Sequence, residues 1–95
     1  MAALPEMELQ CPVEEGYERL LIAGAEVGTL EEYNDLARYV VIKARYGLNS
    51  VRVRASIVGL TDNTCKLTIQ GRGQDVWGTA SKKVMERIVT AISSA

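Results

Sequence analysis

Three runs of period-two alternation, separated only by short turns, constrain this chain more than any other feature. "ARYVVIKARYG" places Val40, Ile42, Ala44 and Tyr46 on one face and Tyr39, Val41, Lys43 and Arg45 on the other. "VRVRASIVG" sets Val51, Val53, Ala55 and Ile57 against Arg52, Arg54, Ser56 and Val58. "CKLTIQG" sets Cys65, Leu67 and Ile69 against Lys66, Thr68 and Gln70. Such alternation belongs to strands with one buried face. The connections "GLNS" and "TDNT" are turn sequences too short for a crossover, so the three runs are consecutive antiparallel neighbours.

Two further strands are expected. Met7, Leu9 and Cys11 alternate with Glu8 and Gln10 until Pro12 stops the run. Residues 29–34, TLEEYN, read as a short edge strand, with a helical turn as the alternative. Two stretches carry helical spacing instead. Val13, Tyr17, Leu20, Leu21 and Gly24 form one stripe, with Pro12 in the first turn, Glu14 and Glu15 at the positive end of the dipole and Gly28 as a stop. Trp77, Ala80, Val84, Ile88, Ala91 and Ile92 form the other.

The expected fold class is α+β. It is a two-layer sandwich with an antiparallel sheet of four to five strands, in the order β-α-β-β-β-β-α, both helices on one face. Residues 1–95 are read as one domain, small for a chain that must bury its own core. With no Phe and one Trp, that core rests on Val, Ile, Leu, Ala and Met. The order of elements resembles the β-α-β(4)-α layout of TATA-binding-protein-like half-domains. It is also similar to a reduced helix-grip fold of the START-like kind, in which a long last helix lies across a curved sheet. The likeness is one of topology over nearly the whole chain. It implies two possible working surfaces: the sheet face left free by the helices, and a pocket between last helix and sheet.

The stretch "IQGRGQDVWGTASKK" invites a phosphate-loop reading, and fails it. Gly73 and Gly78 have Walker A spacing, but Thr79 stands where the lysine that reaches the phosphates belongs. A dinucleotide fingerprint needs a third glycine where Val76 stands, and a following parallel strand that these 95 residues do not supply. The glycines are instead a strand exit, Asp75 a helix cap and Trp77 the anchor of the last helix on the sheet.

Catalytic chemistry has little to work with. His is absent, which removes the commonest general base and zinc ligand. Cys11 and Cys65 are far apart in sequence and read as two buried thiols, with a disulfide as the alternative in an oxidising compartment. Cys11, just ahead of a helix, is the one place for a reactive thiol. No metal or cofactor is expected, no enzyme activity, and no apolar run long enough to span a membrane. The start of the chain carries no secretion-signal pattern, and a cytoplasmic location is the expectation.

Charge carries the remaining information. Residues 1–35 hold nine acids and one base, net −8; residues 36–95 hold ten bases and three acids, net +7. Lys43, Arg45, Arg52, Arg54 and Lys66 all take the outward parity of their strands, giving a basic sheet face suited to an anionic partner. Self-neutralisation comes first among its readings: Glu6 and Glu8 near Lys66, and Glu31 near Lys43 or Arg45. An acidic protein or a second copy ranks next, and nucleic acid last. The leading function is thus a non-catalytic interaction module acting through the sheet. The alternatives are nucleic-acid binding on that face, or a small apolar ligand between last helix and sheet. For the latter, Trp77, Tyr46, Ala55, Ile57, Val84 and Ile88 are the candidate lining.

Overall fold

A computed structural model describes residues 6–72 and 79–93. The elements run β1 (Glu6–Leu9), α1 (Val13–Val27), β2 (Thr29–Asn34), β3 (Tyr39–Tyr46), β4 (Asn49–Thr61), β5 (Thr64–Arg72) and α2 (Thr79–Ser93). The strands form one antiparallel sheet in the order β1-β5-β4-β3-β2. Both helices lie on one face of it and against each other. This is the expected α+β layout, with residues 29–34 forming a strand. No helix among the described residues is long and apolar enough to cross a membrane.

The core lies between the layers. Val40, Ile42, Val53, Ala55, Cys65, Leu67 and Ile69 rise from the sheet to meet Leu20 and Ala23 of α1 and Val84, Ile88 and Ile92 of α2. These are the inward-parity residues of the three alternating runs, so the two-residue period alone selects the buried set.

α1 sits close to the sheet through Gly16 and Gly24. A Cβ at Gly16 would stand 2.5 Å from Cys65 Sγ, and one at Gly24 2.9 Å from both Ile42 Cδ1 and Leu30 Cδ2. Pro12 is the residue just before the helix rather than part of its first turn: its ψ of 157° is extended, and its carbonyl accepts from the Gly16 N–H at 2.9 Å. Gly28 ends the helix, as expected from its place in the sequence. Its N–H donates to the Gly24 carbonyl at 2.9 Å, and its α-carbon lies so near the Lys43 carbonyl that no side chain fits.

Two irregularities shape the sheet. Glu31 is an extra residue in β2 between the pairs Leu30–Ile42 and Glu32–Val41, and Leu60 is one in β4 between Gly59–Cys65 and Thr61–Thr64. The β3–β4 hairpin turns on two residues, Gly47 and Leu48, because Tyr46 and Asn49 already pair. The expected four-residue turn is shorter by two, and β4 is longer at both ends than its alternation indicates.

Candidate functional site

The face of the sheet away from the helices carries the charged side chains, and its register sets who meets whom. Across β3 and β4, Arg45 stands opposite Ser50, Lys43 opposite Arg52, Val41 opposite Arg54 and Tyr39 opposite Ser56. Like charges directly opposite each other are unfavourable, so Lys43 beside Arg52 needs an acid within reach.

Glu31 supplies it. As the extra residue in β2 it lies on the outer side with Glu32, and its Oε1 accepts from Arg52 Nε at 2.6 Å, reaching past β3. The hydrogen bond from Arg52 and its positive charge hold the Glu31 carboxyl below the ordinary carboxylate range, with Lys43 adding to the effect. Of the expected neighbours, Lys43 lies near enough to act on Glu31 through its charge, while the ion pair itself is with Arg52 rather than with Lys43 or Arg45. Glu31 shares the outward parity of Thr29; a regular strand would have turned Glu32 to the helix side, and the bulge keeps both acids outside.

A second chain of contacts starts at Glu32. Its Oε2 accepts from Tyr39 Oη at 2.9 Å, and the Arg54 guanidinium lies 4.3 Å from the centre of the Tyr39 ring. Val41 stands in register between Glu32 and Arg54. It has outward parity, yet only 5% of it is exposed. The outer face therefore has a small covered centre rather than a uniform array of solvated bases. Neither Glu32–Tyr39 nor Tyr39–Arg54 was legible as a pair. The adjacent acids in "TLEEYN" were the one available signal, since a bulge puts two consecutive side chains on one side.

At the β1 side, Lys66 meets Glu6 at 3.7 Å and has Glu8 as its Cα partner, as expected from the charge pattern. Among the described residues, Lys43, Arg45 and Arg54 have no ion pair. Lys43 and Arg45 lie on β3 toward Gly47 and Leu48, and Arg54 stands on β4 opposite Val41. Leu48, at the tip of that hairpin, is 95% exposed. The backbone carbonyl of Arg45 accepts from Arg87 Nη1 at 3.1 Å, and the Arg87 guanidinium lies 5.5 Å from the Tyr46 ring centre. α2 thereby fastens the same end of β3 from the other face.

The residues proposed to line an apolar pocket fall elsewhere. Ala55, Ile57, Val84 and Ile88 lie in the shared core, with Ile57 at 3% exposure and the other three at none. Tyr46 is half-buried at the end of the sheet, packed against that core. Trp77 lies outside the described residues, as do Gly73, Asp75 and Gly78. Cys11 is buried and lies next to Cys65, and no group of three or more metal-capable side chains gathers among the described residues.

Comparisons with protein-family models, with curated proteins and with solved structures gave no match.

Proposed function

We propose that the chain is a non-catalytic protein-interaction module. Its working surface is the outer face of β3 and β4, where Lys43, Arg45 and Arg54 present cationic groups to an acidic protein surface. The observation that carries this reading is the incomplete neutralisation of that face. Among the described residues, Arg52 and Lys66 have ion pairs, and Lys43, Arg45 and Arg54 have none. Lys43 lies between Arg45, two residues along β3, and Arg54, diagonal to it on β4, so their fields add where a partner would approach. The exposed Leu48 beside them supplies an apolar contact, and arginine is favoured at protein interfaces.

A second copy of the chain is one such partner, because α1 carries Glu18 and Glu26 on its exposed side, and among the described residues no cation forms an ion pair with either. The TATA-binding-protein-like layout would direct nucleic acid to the same face. Against this stand Val41, which is covered, and Tyr39, whose ring is already occupied by Arg54. Base stacking and wedge insertion both need such groups free.

Fluorescence anisotropy with labelled poly-glutamate, duplex DNA and single-stranded RNA, each at low and at physiological salt, tests the reading. Binding of poly-glutamate that is lost in the double variant Lys43→Glu, Arg45→Glu is expected. Sedimentation over a concentration series reports self-association on the same samples. No binding of the acidic peptide at low salt, with no self-association, would overturn the proposal. Preferential binding of nucleic acid with a steep salt slope would replace it.

A further inference from the structure

We propose that Cys11 and Cys65 form an intramolecular disulfide, closed by exchange with a small-molecule disulfide such as oxidised glutathione, that fastens the β1–α1 junction to β5. The fold brings these distant positions together. Leu9 is the Cα partner of Cys65, and Cys11 follows Leu9 by two residues, where the chain leaves β1 for α1. Both are free thiols and both belong to the buried core. Cys65 Sγ donates to the carbonyl of Pro12, the residue next to Cys11, at 3.9 Å. Gly16, one helical turn into α1, leaves the space that Cys65 Sγ occupies. Packing alone asks for two small apolar groups here; two thiols in one buried cluster add a chemistry that two alanines would not.

The step balances as two exchanges. The Cys11 thiolate attacks one sulfur of the oxidised glutathione, forming a mixed disulfide and expelling a glutathione thiolate. The Cys65 thiolate then attacks the Cys11 sulfur and expels the second glutathione. Two protein thiols are oxidised, one external disulfide is reduced, and the two protein protons end on the departing thiols. Burial pushes the Cys65 thiol up to about 11, with the adjacent Cys11 adding to the rise. The closed pair is therefore slow to react at neutral pH. Reaction proceeds through opening of β1, an edge strand of four residues. Cys11 leads because it sits on the segment that lifts away. Cys65, on β5 between β1 and β4, resolves the mixed disulfide when the segment returns.

The test uses the whole chain, folded, incubated with oxidised glutathione at neutral and at mildly alkaline pH, then acid-quenched, alkylated and mapped by mass spectrometry. The expected result is loss of both thiols together, a cross-linked peptide joining residues 11 and 65, and no retained glutathione. The rate should rise with pH. The denaturation midpoint of the product should rise and return on reduction, since a cross-link narrows the unfolded ensemble. Cys65→Ala should stop at a glutathione adduct on Cys11; if that variant does not fold, the wild-type peptide map decides alone. Three results would each overturn the proposal. They are a stable glutathione adduct in the wild type, a disulfide only between chains, and no thiol loss over a period in which amide exchange records the opening of β1.

Discussion

Tyr17 is the side chain in which core and surface meet. Its ring is buried under α1, while its hydroxyl donates to Asp35 Oδ1 at 2.9 Å in the β2–β3 connection. Burial, and then the hydrogen bond and charge of Asp35, push its hydroxyl up from 10.0 to about 12. A group whose pKa is raised by folding stabilises the fold fully below its unfolded value, and that contribution fades as pH rises through the folded value. Stability should therefore drop between about pH 10 and pH 12, and Tyr17→Phe should remove that part of the drop in a series of urea melts. At neutral pH the same substitution should cost about 1.5–3 kcal/mol, the range for a hydrogen bond to a charged acceptor. Gly16 sets two effects against each other. Alanine is the better helix former by about 1 kcal/mol. Its Cβ would meet Cys65 Sγ at 2.5 Å, and overpacking costs about 1–3 kcal/mol. Gly16→Ala is expected to lower stability in chemical denaturation, because the clash outweighs the propensity.

At the scale of elements, each junction is set by a few backbone atoms. Gly47 has φ of 63°, and the two-residue β3–β4 hairpin depends on that left-handed value at its first position. No atom lies within 4 Å of where its Cβ would be, so the cost of a side chain is conformational alone. Gly47→Ala should cost about 1 kcal/mol and Gly47→Asn less, because Asn tolerates this region; thermal melts of the pair distinguish strain from packing. α2 is held by Val84, Ile88 and Ile92, none more than 1% exposed. Ile88→Ala is expected to cost about 2–5 kcal/mol by denaturant titration. Lys83→Ala, on the exposed side of the same helix, should change stability by less than about 0.5 kcal/mol. Equal losses at the two positions would mean that the helix is not seated as described.

Over the whole molecule the charges follow the strand order. The acidic first third of the sequence supplies β1, α1 and β2, and the sheet places β1 and β2 at its two edges with the basic strands between. Lys66 is thus met from one edge and Arg52 from the other. The centre of the basic band lies beyond the reach of either, save for Arg52 through Glu31. The double variant Lys43→Glu, Arg45→Glu should therefore keep near-native stability, since neither side chain is in an ion pair among the described residues, while losing affinity for an acidic partner. Circular-dichroism melts and anisotropy on the same preparation separate the two outcomes. A large loss of stability would show that these side chains serve the fold instead.

The alternation of three runs and the spacing of two amphipathic stripes were enough to determine the class of fold, its order of elements and most of its core. Period two and period 3.6 are properties of the backbone, and burial of Val53, Leu67 or Ile88 needs only that the right face turn inward. The basic parity of Lys43, Arg45, Arg52, Arg54 and Lys66 was legible for the same reason. Their partners were not. Which acid meets which base depends on register, and one extra residue in β2 keeps Glu32 on the outer side beside Glu31, which reaches Arg52. The contact between Cys11 and Cys65, the Tyr17–Asp35 bond and the cover over Val41 likewise join residues from separate elements. Local periodicity is enough to say which faces are apolar and which are charged. Which of those charges are cancelled is set by the packing of the strands, because cancellation depends on ångström-scale distances between strands that no local pattern contains.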